Sequence, residues 1–176
     1  RVIVAQVARS SEPEVALFSV CALYAPSGDN RPRNQFFQQT LLLPFFQQPH
    51  QDFFVLGDFN YHHHLRGTTL PEWREWLNNH SLDIITRGST LPLPTFHRND
   101  SHTTIDYIFA SPSMAAETGL PQNSYIHHNW TDHALLSCAI HLDSLTSGPG
   151  VWRMNSSLLE VIISETRGLK SKNRWR

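Results

Sequence analysis

The chain has 176 residues, 40% of them hydrophobic and 16% charged, with a formal net charge of -1. That length suits a single domain with a real core, and ten Phe beside five Trp exclude a disordered chain. So small a net charge excludes a global field that gathers nucleic acid, and no apolar run approaches the ~20 residues needed to span a bilayer.

RVIVAQVA (1–8) and EVALFSVCALYA (14–25) are β-rich runs separated by Ser-Ser-Glu-Pro, which predicts a hairpin. The second run is apolar almost throughout, as expected of a strand buried on both faces. Ser27, Gly28, Asp29 and Asn30 then break the chain. A helix is predicted next, with Asn30 as its cap, Pro32 in its first turn, and Phe36, Phe37, Leu41 and Phe45 near helical spacing. Pro44 should end or kink it. QDFFVLGD (51–58) reads as a short central strand, and LPEWREWLNN (70–79) as a helix. The common face of Trp73, Trp76 and Leu77 fits a core better than a cofactor site. Strands are predicted over 82–86, 94–98, 103–110, 124–128 and 133–142. In the last, Ala134, Leu136, Cys138, Ile140 and Leu142 mark the core face.

Cys21 and Cys138 both lie in apolar runs and read as buried free thiols. Residues 1–145 form the expected domain, and 146–176 a linker and basic tail. The tail begins at Ser147-Gly148-Pro149-Gly150 and carries Arg167, Lys170, Lys172, Arg174 and Arg176. Many strands with two helices between them predict an α/β sandwich of packed sheets with helices outside. No secretory signal pattern is present, so an intracellular protein is expected. The chain opens on Arg1 inside a strand-like run, as if a longer protein preceded it.

The chemistry concentrates at strand ends. In Gly57-Asp58-Phe59-Asn60, alternation puts Asp58 and Asn60 on one side and Phe59 on the other. A carboxylate beside a carboxamide can accept a proton from water and hold that water in place. Gly57, lacking a side chain, is expected to admit a substrate backbone. Tyr24 stands just before another turn, in LYAPSG. Asp106 sits in an apolar strand, where an unpaired carboxylate is costly, and needs a partner. His133, in Thr131-Asp132-His133, is a natural one, since an Asp–His pair orients the imidazole. His62, His63 and His64 are expected to be solvated loop residues; the spacing of His62 and His64 alone makes a poor zinc site. His127 and His128 read the same way, at a cleft rim. Arg31 and Arg33, after the Tyr24 turn, are placed as contacts to a nucleic-acid backbone, with plain surface solvation as the alternative.

Taken in order, LYAPSG, VLGDFN, TTIDYIF and TDHALLS resemble the successive motifs of the endonuclease/exonuclease/phosphatase superfamily, which includes pancreatic deoxyribonuclease and the abasic-site endonucleases. The resemblance covers residues 1 to about 142. It implies a four-layer α/β sandwich, here without its N-terminal portion, and Mg²⁺-dependent phosphodiester hydrolysis, with Mn²⁺ as the alternative ion. It further implies that Tyr24 contacts the scissile phosphate, Asp58 activates water, Asn60 orients it, and Asp106 pairs with a phosphate-binding His133. Asp132 would lie at the metal. The superfamily's early Asn and its principal metal-binding Glu have no counterpart in this chain. GVWRMNSSLL (150–159) is similar to the segment after the endonuclease domain of non-LTR retrotransposons. That similarity implies a DNA substrate, a nuclear location, and a reverse transcriptase domain downstream in the same reading frame. A phosphatase of inositol lipids or small phosphomonoesters is one alternative, and an inactive nucleic-acid-binding remnant is another.

Overall fold

The computed structural model describes residues 1–9, 11–48, 52–87, 93–125 and 130–142. The expected linker and basic tail, and His127 and His128, lie outside these. Strands β1 (Val2–Arg9) and β2 (Glu12–Tyr24) form the predicted hairpin, in register from Val2 opposite Leu23 to a bulge beyond Val7. Helices α1 (Asn30–Leu41) and α2 (Pro44–Gln47) cross over to β3 (Phe53–Asp58), which pairs parallel to β2. A parallel pair needs such a crossover, because a tight turn can only reverse the chain. After α3 (Pro71–His80) and the short β4 (Leu82–Asp83), a ribbon of β5 (Phe96–Arg98) and β6 (Ser101–Thr103) leads into β7 (Asp106–Ala110). Helix α4 (Pro112–Ala116) and a second ribbon, β8 (Gln122–Tyr125) with β9 (Ala134–Ser137), complete the described residues. The main sheet has the order β1-β2-β3-β7-β4.

The α/β class read from the sequence holds. Alternation along β2, β3 and β7 sends Cys21, Leu23, Phe53, Val55, Tyr107 and Phe109 to one face. There they pack with Phe37 of α1, Phe45 and Phe46 of α2, and Trp73 and Leu77 of α3. Each such side chain contributes roughly 1.5–3 kcal/mol by leaving water. The opposite face meets β9, and Leu56, Ile108, Ala134 and Leu136 border a cavity of about 270 Å³ there.

Several local expectations change. Strand β2 is buried only from Phe18 onward, because β3 pairs with Ser19–Tyr24 and leaves the earlier residues uncovered. Asp29, not Asn30, precedes the first helical residue, and Asn30 Oδ1 instead accepts a hydrogen bond from Arg33. The strand predicted at 82–86 stops at Asp83, whose carboxylate accepts the N–H groups of Ile85 and Thr86 and turns the chain. Strand β9 stops at Ser137, and beyond it Ile140 is 36% exposed, so the core face extends only through its first half.

The histidine triplet divides, and His63 corrects the expectation of a solvated loop. It is 6% exposed and sits in a buried polar chain. Trp73 Nε1–H donates to the Tyr61 hydroxyl at 3.1 Å, Tyr61 lies 3.1 Å from His63 Nδ1, and His63 Nε2 lies 3.0 Å from Asn78 Oδ1. Because Asn78 Oδ1 can only accept, His63 carries its proton on Nε2, and Nδ1 accepts from Tyr61. The neutral ring therefore satisfies every partner. Burial accordingly lowers the His63 pKa from 6.5 to about 4. The unfolded chain takes up this proton first, so the linked stability is complete above pH 6.5 and is lost as pH falls toward 4. The loss should be on the order of 3 kcal/mol. Urea midpoints measured across that range should show less acid sensitivity in His63→Gln than in the parent; equal slopes would refute the assignment. His64, by contrast, is exposed and pairs with Asp83 at 3.2 Å.

Candidate active site

Strand register builds the site. Tyr24, Asp58 and Asp106 stand directly across from one another on β2, β3 and β7, so all three side chains leave the same face of the sheet. Their pairing is locked at the strand ends, where Ala25 N–H donates to Asp58 O at 2.8 Å and Phe59 N–H to Ile105 O at 2.8 Å. Phe59 goes to the helical side and is fully buried, as alternation required.

Asn60 follows with a φ of 52°, a left-handed conformation that Asn tolerates. Its N–H donates to Asp58 Oδ1 at 2.9 Å, and its Nδ2–H donates to Ala25 O at 2.8 Å. The Asp-Phe-Asn turn thus fixes one oxygen of Asp58 and ties the Tyr24 loop to it.

Gly57 serves the strands themselves, which corrects the expectation that it admits substrate. Its φ is 135°, and an added Cβ would stand 1.9 Å from the carbonyl oxygen of Leu23 on β2. Gly57→Ala should therefore cost at least about 2–3 kcal/mol, through both strain and collision. Chemical denaturation measures this, and an Ala variant as stable as the parent would show that the strand pair can part cheaply.

His133 arrives from the start of β9. Its ring packs edge-on against Phe96 at 5.0 Å, and Nδ1 lies 2.9 Å and 3.1 Å from the two oxygens of Asp106. The partner that the buried Asp106 required is present. Asp58, Asp106 and His133 each bring one potential ligand atom within 4.8 Å of the others, the only such group among the described residues. Burial raises Asp58 from 3.8 to about 6, with the Asp106 carboxylate adding to the rise and the Asn60 hydrogen bond opposing it. Burial also raises Asp106, opposed by its hydrogen bonds to His133 and Thr95.

Two expected residues lie elsewhere. Asp132 is not part of this cluster, and its carboxylate pairs with Arg98 at 2.7 Å. Arg33 is 6% exposed, and its guanidinium donates to Gly28 O, Asn30 Oδ1 and Thr68 O. It binds two loops together, a structural role in place of the expected substrate contact. Arg31 is exposed, as is Tyr24, at 57%. Sequence reasoning missed Thr95, which is fully buried beside Asp106; a lone Thr in a short polar-apolar run carries no signal of its own.

Residues 18–137 match the family model described as endonuclease-reverse transcriptase, and the chain belongs to that family. No curated protein sequence matches it. Among solved structures, it is similar to a 3′-5′ exonuclease (NExo) from Neisseria meningitidis, with 18% identity and a TM-score of 0.55. That match covers 71% of this chain and 62% of the exonuclease. A Neisseria 3′ phosphatase NExo bound to product DNA hairpin is similar at 16% identity and TM-score 0.57, covering 80% of this chain and 70% of that one. An AP endonuclease from Archaeoglobus fulgidus is similar at 14% identity and TM-score 0.56, covering 71% and 62% respectively. At such identities the likeness is one of fold. The chain spans 62% of the length of the exonuclease and of the AP endonuclease.

Proposed function

We propose that this site belongs to a DNA-nicking phosphodiesterase of a retroelement. The observation that carries the reading is the convergence of Asp58, Asp106 and His133 within 4.8 Å, with His133 Nδ1 held by Asp106. Water attacks phosphorus in line with the leaving oxygen, whose bond to phosphorus breaks as the new one forms and which takes a proton from solvent. Asp58 takes the water's proton; a base that titrates near pH 6 is ionised at neutral pH yet still basic enough to accept it. Asn60, anchored at Ala25 and Asp58, orients the water and a phosphate oxygen. Asp106 holds His133 by Nδ1, which leaves the Nε2 side of the ring toward a phosphate oxygen as charge builds. Tyr24, exposed at the same edge, contacts the phosphate from the β2 side. Arg31 offers a positive charge for the strand's backbone.

The resemblance also implies Mg²⁺, or Mn²⁺. A near-octahedral oxygen shell does not fit the described residues alone. Asp106 is committed to His133, Asp132 to Arg98, and Asp58 is the base. The ion would need further oxygen ligands, and no step above is routed through it. A reverse transcriptase encoded downstream fits the family's description, and a nuclear location is proposed with it.

The competing reading is a phosphatase. Supercoiled plasmid and a small phosphomonoester should be offered to the full-length protein that carries this chain. Nicking without monoester turnover, reduced at least about 100-fold by His133→Ala, is expected. Monoester turnover without nicking would establish the phosphatase instead.

A further inference from the structure

Thr95 lies just before β5 and is fully buried. Its Oγ1 accepts the N–H of Ile105 at 3.0 Å and the N–H of Asp106 at 2.9 Å. The hydroxyl oxygen is thus the shared acceptor for the backbone that opens β7. The Thr95 backbone is equally engaged. Its N–H donates to Thr103 O at 2.9 Å, and its carbonyl accepts the N–H of Ala134 at 2.7 Å, the residue after His133. Next to it, Phe96 bridges to His133 and packs on its ring. One residue thereby touches the strand that brings Asp106 and the strand that brings His133.

We propose that Thr95 is a positioning residue that sets the Asp106–His133 pair for the reaction. This deepens the phosphodiesterase reading and rests on it for its kinetic consequence. The geometric part stands independently. Asp106 is the first residue of β7 and His133 precedes the first residue of β9, so neither is held by regular strand pairing on both sides. Without the Thr95 hydroxyl, two backbone N–H groups, that of Asp106 among them, lose their acceptor. The start of β7 is then free to shift, carrying the Asp106 carboxylate and with it the imidazole. A hydroxyl that served folding alone would leave the dyad unchanged when removed.

The test uses this chain labelled with ¹⁵N-histidine. In the parent, His133 Nδ1–H should give a proton resonance well downfield of the amide envelope, the signature of an imidazole donating to a carboxylate. Thr95→Val removes the hydroxyl at nearly constant volume and should shift that resonance upfield or lose it to exchange. Thr95→Ser keeps the hydroxyl and should retain it. In the full-length protein, Thr95→Val should lower kcat for DNA cleavage about 10–100-fold with KM little changed, and Thr95→Ser should stay within about threefold of the parent. A folded Thr95→Val with the parental resonance overturns the proposal. If Thr95→Val does not fold, Thr95→Ser decides: a folded Ser variant that has lost the resonance overturns the proposal, and one that retains it supports it. Loss of the resonance with no cleavage by any variant would leave the positioning role standing and remove the phosphodiesterase reading.

Discussion

Replacing Asp58 with Asn should lower DNA cleavage by about 10²–10⁴-fold and, at the same time, make the protein harder to melt. The two effects share one cause. Asp58 lies at the end of β3, partly withdrawn from water and beside Asp106, so its charged form is disfavoured and its pKa stands near 6 rather than 3.8. Folding therefore favours the protonated carboxyl. The cost of ionising it is absent below pH 4 and complete above pH 6, so this group lowers stability as pH rises through that window. Asn keeps the shape and never ionises. The melting temperature of Asp58→Asn should exceed the parent's at pH 8, and the difference should close toward pH 4. Parental cleavage should rise with pH through about 6 as the base ionises. A variant that loses activity and also loses stability at pH 8 would mean that Asp58 is a structural acid. Catalytic groups held under strain commonly show this trade between activity and stability.

The second large effect concerns the core. Trp73→Ala should cost about 3–5 kcal/mol, read from the shift of the denaturant midpoint. Trp73 is fully buried and stacks on Phe37 at 4.6 Å, joining α3 to α1 over the sheet. Its loss opens a cavity between these helices that the rigid aromatic neighbours cannot fill. It also removes the Nε1–H donor to Tyr61, at the head of the polar chain that ends at Asn78. Trp73→Phe keeps most of the volume and loses that donor, so it should cost clearly less than Ala. Equal costs would place the stabilisation in the hydrogen-bonded chain and not in the packing.

The contrast between Trp73 and His63 shows what was legible in the sequence. Helical spacing alone put Trp73 and Leu77 on one face, and both are fully buried. Period-two alternation likewise separated Phe59 from Asp58. Asp106, half-buried in the structure, announced its need for a partner, because no other solution is cheap for a carboxylate in an apolar strand. His63 gave no such signal. It lies in a loop without periodicity, and its partners Tyr61, Asn78 and Tyr107 are set by how α3 and β7 dock. Arg33, Gly57 and Thr95 were misread or missed for the same reason. Each acts on chain brought alongside by the fold: Thr68 for Arg33, Leu23 for Gly57, and Ile105 with Asp106 for Thr95. Asp132 shows the limit at closest range. It adjoins His133, yet the β5–β6 ribbon brings Arg98 to it, and it pairs there and not in the cluster.

The central claim is that Asp58, Asp106 and His133 form a centre that hydrolyses phosphodiesters. Supercoiled-plasmid relaxation in Mg²⁺ tests it most directly, on the full-length protein and on the same protein carrying Asp58→Asn or His133→Ala. Relaxation by the parent that falls at least about 100-fold in each variant, with both still folded, is the predicted result. Relaxation that persists unchanged in folded Asp58→Asn and His133→Ala would place the chemistry elsewhere and contradict the account.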